Sequence, residues 1–164
     1  MRLPLFLRPL LPLAVVAAAF QVVRFQFING PSMEPALRDG ELVLVNKRAP
    51  LSAIARGDIV MFRSPSDPSR VYVKRVAGLP GDAICQEGHP ACRDPAHQRT
   101  VPPGAFFALG DNASVSYDSR QAGFIPVANL TGKVIGRLPG LLAMIAYGIM
   151  FCLVVGVLRS LRPG

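Results

Sequence analysis

Few side chains in this 164-residue chain could activate a nucleophile. The only histidines, His89 and His97, flank or lie in a polar, proline-containing stretch over residues 90–103. A Ser-His-Asp triad needs a histidine that is held rigidly against its serine, and loop histidines are more often solvated. We therefore assign no histidine triad. The other route to an activated serine uses a neutral lysine amine as the base.

Lys74 is a candidate for such a base. Residues 71–76 read as a strand, so Lys74 shares one face with Tyr72 and Val76. If that face packs inward, burial disfavours the ammonium and lowers the pKa of Lys74. A shift from ~10.4 to near 7–8 corresponds to about 4 kcal/mol. The strand alone favours the alternative, in which the lysine lies at a sheet edge and points to water.

The composition indicates a membrane protein of one domain. Hydrophobic residues make up 51% of the chain and charged residues 17%, which is too apolar for a disordered or ordinary soluble protein. The net charge is +8, but Arg2, Arg8, Arg159 and Arg162 lie at the two ends. The chain has no basic stripe and no aromatic–basic interleaving, so the sequence predicts no nucleic-acid partner.

Two segments could lie in the bilayer. Residues 138–158 carry no charge and are long enough to cross a ~30 Å hydrocarbon core as a helix. Residues 1–24 contain a shorter apolar run and predict a retained anchor, with a cleavable signal peptide as the alternative. Basic residues flank both outer ends, so the positive-inside rule places both termini in the cytoplasm. The domain over residues 25–137 is then extracytoplasmic.

The middle of the chain predicts a mainly β domain. Short apolar runs are separated by Gly and Asp turn signals, and no amphipathic helical period is sustained. We predict strands over residues 41–46, 59–63, 71–76, 106–109 and 133–135.

Four ordered motifs resemble those of the signal peptidase I family, the membrane-bound Ser-Lys endopeptidases that release signal peptides. Residues 30–37 (GPSMEPAL) resemble its nucleophile motif, and residues 56–60 (RGDIV) its second motif. Residues 72–82 (YVKRVAGLPGD) resemble its lysine motif, and residues 110–120 contain the GDN and SYDSR of its last. The resemblance extends over residues 28–133. It implies twisted antiparallel sheets forming a signal-peptidase-type catalytic domain, to which the apolar runs at the two ends add N-terminal and C-terminal transmembrane helices.

The resemblance also implies roles for individual residues. Ser32 would be the nucleophile, Lys74 the general base, and Ser116 the hydroxyl that orients the lysine amine. The backbone N–H of Ser32 would donate to the oxyanion. The other implied residues are those lining shallow pockets for small side chains at substrate positions −1 and −3 (Ile28, Leu37, Tyr72 and Val73) and two structural ion pairs beneath the site (Asp111 with Arg75, and Asp118 with Arg120).

Some residues depart from the family pattern. Gly30 stands where many bacterial relatives have a serine whose hydroxyl is a second oxyanion donor, so the hole would rest on backbone donors or on a group that the sequence does not identify. Residues 113–115 replace the usual Arg-Asp-Asn, and the stretch over residues 82–106 is short. The C-terminal span is not part of the commonest layout, which has two N-terminal anchors.

Cys85 and Cys92 leave three possibilities open. They could form a disulfide, bind zinc together with His89 and His97, or remain free thiols. The spacing fits no common zinc module, and an extracytoplasmic domain is in an oxidising compartment. We therefore predict a disulfide, and neither a metal nor a cofactor.

The favoured function is a membrane-anchored serine endopeptidase that removes signal peptides from exported preproteins after small-x-small sites. Its partners would be those preproteins and the lipid bilayer, with the enzyme in the plasma (inner) membrane close to the secretion translocon. Two alternatives remain. One is a dedicated processing peptidase of the same superfamily, for example one that matures a conjugative pilin. The other is an inactive scaffold protein on the same fold.

Overall fold

The structure is a computed structural model that describes residues 21–85 and 98–138, together with Gly148 and Cys152. Its described elements are the strands β1 (Val23–Phe27), β2 (Leu42–Asn46), β3 (Ile59–Arg63), β4 (Val71–Gly78), β5 (Ala83–Cys85), β6 (Gln98–Thr100), β7 (Ala105–Leu109), β8 (Ile125–Pro126) and β9 (Leu130–Leu138), the short helix α1 (Ser119–Ala122), and the 3-10 turns Pro31–Met33, Leu51–Ala53 and Val127–Asn129.

The strands form one large antiparallel sheet and one small hairpin. The large sheet has the order β1-β2-β9-β3-β4-β7-β8, and β5 pairs with β6. All of these pairings are antiparallel. The prediction of a mainly β, antiparallel domain is therefore confirmed.

Apolar clusters cover both faces of the large sheet. Within β3, Val60 and Phe62 belong to one cluster and Met61 belongs to another, because successive side chains of a strand point to opposite faces. In β4, Val76 and Tyr72 pack with Val60 and Phe62, whereas Val73 packs with Met61. The centre of β4 is therefore covered on both faces, which is the environment that buries Lys74.

The predicted strands agree with the observed ones, with small differences at their ends. Residues 59–63 match β3, while the other four predicted strands gain or lose residues at one or both ends. The sequence analysis missed β1, β5, β6 and β8. Val23 and Arg24 were assigned to the N-terminal anchor, but they are the first residues of β1, where Val23 pairs with Asn46. The alternation of β1 was hidden because it directly follows an apolar run.

The two predicted membrane helices fall almost entirely outside the described residues, which exclude residues 1–20 and, apart from Gly148 and Cys152, residues 139–164. Within the described part of the chain, no helix is both long enough and apolar enough to cross a bilayer. The anchor over residues 1–24 and the span over residues 138–158 stay predictions.

Gly132 in β9 provides a test of the packing between β9 and β2. A Cβ at Gly132 would lie 2.6 Å from Val45 Cγ1 and 2.7 Å from the carbonyl oxygen of Asn46. A Cβ at Gly136, in the same strand, would meet only Leu44 Cβ at 3.8 Å. We expect Gly132→Ala to lower the free energy of unfolding by about 1–3 kcal/mol, because backbone must move.

The matched control is Gly136→Ala, which we expect to change the free energy of unfolding by no more than about 0.5 kcal/mol. Denaturant unfolding of the full chain in detergent measures both values. Equal effects of the two substitutions would contradict the described packing of β9 on β2.

Candidate active site

Ser32 lies in a short turn that directly follows β1. Gly30 has a φ of 87°, which favours glycine, and its N–H donates to Asp39 Oδ1 at 2.7 Å. Pro31 begins the 3-10 turn, and Met33 is buried in the cluster with Ile28. The turn is thus fixed on both sides of Ser32, by a glycine conformation before it and by an apolar anchor after it.

Lys74 reaches Ser32 from the middle of β4. Its Nζ lies 2.7 Å from Ser32 Oγ, and the residue is 2% exposed. Burial lowers the pKa of Lys74, while the Asp118 carboxylate acts to raise it and the Arg120 guanidinium to lower it. The lysine therefore faces inward, and the alternative of an edge lysine pointing to water is wrong. A hydroxyl in contact with an amine of lowered pKa can transfer its proton to that amine.

Ser116 can lie close to Ser32 because the residue between them, Gly110, has no side chain. A Cβ at Gly110 would lie 2.1 Å from Ser116 Oγ and 2.7 Å from the carbonyl oxygen of Ser32. The same carbonyl accepts a hydrogen bond from the N–H of Asn112 at 3.0 Å. The Ser116 hydroxyl donates to Asp118 Oδ2 at 2.7 Å, whereas Lys74 is hydrogen-bonded to Ser32. The implied role of Ser116 in orienting Lys74 stays a prediction.

Asp118 is a fully buried carboxylate that is held by four kinds of donor. It accepts from the N–H of Gly110 at 2.8 Å, from Ser116, and from the Arg120 side chain at 2.7 and 2.9 Å, and it also caps α1 through the N–H of Arg120. Burial acts to raise the pKa of Asp118, but these hydrogen bonds outweigh it and hold the pKa below its ordinary value. Asp118 is therefore a charged group whose acceptors are all engaged.

The second expected ion pair is also present. Arg75 donates to Asp111 through Nε at 2.8 Å and through Nη2 at 2.5 Å, and its Nη1 donates to the carbonyl of Gly57 at 2.7 Å. The hydrogen bond with Asp111 raises the pKa of Arg75. This pair is more exposed than that of Asp118 with Arg120, and it ties β4 to the segment after β7.

A cavity of about 90 Å³ opens beside Ser32 and Lys74. Three of the residues expected to line substrate pockets, Ile28, Tyr72 and Val73, do line it, but Leu37 does not. Leu37 is fully buried in the apolar cluster beneath the cavity, because it packs with Met33 and Ile28. Sequence reasoning missed the other lining residues, which are Gln26, Phe27, Asn29, Met33, Met61 and Val71.

The cysteines are only partly described. Cys85 is disulfide-bonded, Cys152 is a free thiol, and Cys92 lies outside the described residues. The pairing of Cys85 with Cys92 therefore stays a prediction. No group of three or more metal-binding side chains occurs among the residues that the structure describes, and His89 and His97 are not among these residues.

Asp118→Asn tests the buried ion pair. Because the folded-state pKa of Asp118 is lowered, its stabilising contribution is present above the unfolded-state pKa and is lost as the pH falls through the folded-state pKa. We expect the substitution to lower the free energy of unfolding at pH 7 by about 3 kcal/mol, and this deficit to shrink below about pH 4.

The matched control is Asp67→Asn, since Asp67 and Arg70 form an exposed pair at 3.1 Å. We expect this control to cost no more than about 1 kcal/mol. Denaturant unfolding of the full chain at both pH values gives the comparison. A deficit for Asp118→Asn that is as small as the control's, or that does not change with pH, would contradict the assignment.

Comparisons with known proteins match the part of the chain that contains this site. A family model described as signal peptidase, peptidase S26, matches residues 3–94 and 86–138. The chain is 35% identical over 118 residues to the mitochondrial ATP-independent inner membrane protease subunit 1a of Arabidopsis thaliana, which covers 71% of this chain and 70% of that protein.

Bacterial proteins match as well. The chain is 33% identical over 137 residues to signal peptidase I of Bacillus caldolyticus, covering 65% of this chain and 74% of that protein. A crystal structure of a signal peptidase I from Enterococcus faecalis aligns with a TM-score of 0.41 and 29% identity, over 50% of this chain and 97% of that one. The family match covers most of the chain, and we conclude that the chain belongs to the signal peptidase, peptidase S26, family.

Proposed function

We propose that this chain is a membrane-anchored serine endopeptidase that removes signal peptides from exported preproteins after small-x-small sites. Ser32 is the nucleophile and Lys74 is the general base. The observation that carries the proposal is the 2.7 Å contact between Lys74 Nζ and Ser32 Oγ at a lysine that is almost fully buried. Membership of the signal peptidase family supports the same reaction class.

The reaction follows the general course of serine acyl transfer. Neutral Lys74 takes the proton of the Ser32 hydroxyl as Oγ attacks the carbonyl carbon of the scissile peptide bond. The tetrahedral intermediate collapses with expulsion of the amine, to which Lys74 returns the proton. A water molecule, deprotonated by Lys74, then attacks the acyl-enzyme, and Lys74 returns that proton to Ser32 Oγ as the ester bond breaks. The attack by Ser32 and the attack by water both begin with Lys74 neutral, and burial favours that form.

The oxyanion would be bound by backbone donors. Ser32 lies in the first turn of a short 3-10 helix, where N–H groups lack an acceptor within the helix. Gly30 offers no hydroxyl, and its own N–H is engaged by Asp39 at 2.7 Å. We therefore assign the N–H of Ser32 as the donor, while the second donor stays unassigned.

An extended substrate could lie between β1 and the start of β4. Among the described strands, β1 is at the edge of the large sheet and pairs with β2. In β4, residues 71–74 pair with β3, whereas pairing with β7 begins at Arg75. A peptide that hydrogen-bonds to both edges would run past Ser32 and Lys74, as in strand addition. The 90 Å³ cavity beside Ser32 then admits only small side chains, by steric exclusion.

The membrane contributes by bringing enzyme and substrate together. Anchors before β1, within residues 1–22, and after β9, within residues 139–158, would hold the sheet domain at the extracytoplasmic surface, with both termini cytoplasmic. A tethered enzyme meets tethered substrates at a raised effective concentration. We place it in the plasma (inner) membrane near the translocon. The relatives include bacterial signal peptidase I and mitochondrial inner membrane proteases, which supports a membrane setting.

The central test is cleavage of a preprotein by the purified full chain in detergent. We expect one cut after a small residue by the parent chain. Ser32→Ala and Lys74→Ala should each lower the rate by about 10⁴-fold or more, because either change disables the nucleophile. The matched control is Ser114→Ala, since the exposed Ser114 hydroxyl is bonded only to Asn112 among the described side chains.

The outcomes separate the alternatives. Near-parental activity of Lys74→Ala would refute its assignment as general base. A parent chain that cuts one exported protein but no general preprotein would favour the dedicated processing peptidase. A parent chain that cuts neither would favour the inactive scaffold.

A further inference from the structure

A substrate strand in the proposed groove must present its side chains alternately to two different environments. Successive residues of a strand point to opposite faces. The small residues at positions −1 and −3 would enter the cavity that Val73 and Ile28 line. The residue at position −2 would then point away from Val73 and toward the ring of Tyr72, which alternates with Val73 along β4. This step rests on the proposed function.

That face bears a second, larger cleft. Tyr72 lines it together with Tyr117, and Ser66, Asp67 and Arg70 from the turn between β3 and β4 complete it. Its volume is about 320 Å³, compared with about 90 Å³ for the cavity beside Ser32. Tyr72 lines both, so the two spaces meet at this ring. We refer to the larger one as the tyrosine cleft.

The tyrosine cleft is aromatic and carries no uncompensated charge. The rings of Tyr72 and Tyr117 have centroids 5.9 Å apart and are tilted by 43°, and Tyr117 remains 44% exposed. Asp67 is paired with Arg70 at 3.1 Å and also accepts from the Ser69 hydroxyl at 2.6 Å. Arg70 also interacts with the Tyr72 side chain. An aromatic side chain would find the exposed ring of Tyr117 to pack against.

We propose that the tyrosine cleft is the binding site for the substrate residue at position −2 and that it selects an aromatic side chain there. Ser116 precedes Tyr117 and lies close to Ser32, so Tyr117 is near the scissile bond rather than far upstream. The enzyme would then read a small-aromatic-small sequence, and the middle residue would contribute to specificity.

The test uses the full chain in detergent and peptides of the form Ala-X-Ala, cut after the second Ala, with X as Ala, Phe or Glu. We expect kcat/KM for Phe to exceed that for Ala by about 5-fold, the range of one favourable aromatic pair. Glu should show no such gain. In Tyr117→Ala the ratio of Phe to Ala should fall to about 1. Val115→Ala is the matched control, because Val115 is 56% exposed and does not line the cleft, and it should keep the parental ratio.

A binding measurement separates this inference from the proposed function. The chain contains no tryptophan, so a peptide with Trp at position −2 reports its own environment by fluorescence. Bound to Ser32→Ala, it should receive energy from tyrosine, and Tyr117→Ala in the same background should weaken both binding and transfer. Equal Phe and Ala rates in the parent, an unchanged ratio in Tyr117→Ala, or binding that does not depend on Tyr117 would overturn the inference. Loss of cleavage of all peptides with Tyr117-dependent binding intact would instead refute the proposed function alone.

Discussion

The contact between Lys74 Nζ and Ser32 Oγ is the interaction on which the remaining structure depends. A lysine amine can act as a base near neutral pH only if its surroundings disfavour the ammonium, and burial at the centre of β4 provides those surroundings. The two apolar clusters that cover the sheet are therefore part of the chemistry as well as of the stability. Removing core volume near β4 would hydrate the amine and raise its pKa toward the ordinary value.

The buried pair of Asp118 and Arg120 lies close to Lys74, and its two charges act on the lysine in opposite directions. Asp118 lies close enough to favour the ammonium form of Lys74, which would work against a neutral base. Arg120 opposes that effect, and it also binds the same carboxylate through two nitrogen atoms. The remaining acceptor capacity of Asp118 goes to Gly110 and Ser116. The carboxylate thus fixes the Ser116 segment, while its field on Lys74 is partly compensated.

Much of the site could be predicted from the sequence, because the types and the order of its residues form recognisable motifs. Ser32, Lys74 and the Asp118–Arg120 pair were all identified from motifs, and the strand period placed Lys74 on the face of Tyr72 and Val76. The direction in which that face points could not be predicted, since it depends on the apolar clusters that pack on the two faces of the sheet. The direction of the Leu37 side chain could not be predicted either. Its position in the motif suggested a pocket wall, but the turn after Ser32 directs it into the core.

Other features arise only from tertiary contacts. The alternating side chains of β1 directly follow an apolar run, and the sequence does not show where that run ends. The strand β1 was therefore not predicted. Gly110 gave no sequence signal for its role, which is to let Ser116 approach Ser32 more closely than any side chain would permit. The packing of Tyr117 on Tyr72 joins residues 45 positions apart in the chain, and it depends on the fold bringing the segment before α1 next to β4.

The most direct test of this account is the titration of Lys74 itself. Lysine labelled with ¹³C at the ε-carbon, in the full chain in detergent, gives one resonance per lysine, and Lys74→Arg assigns the relevant one. The account predicts that the Lys74 pKa lies clearly below the ordinary lysine value of about 10.4. A Lys74 pKa at or above the ordinary value would mean that the amine is protonated at working pH, and it would contradict the proposed general base.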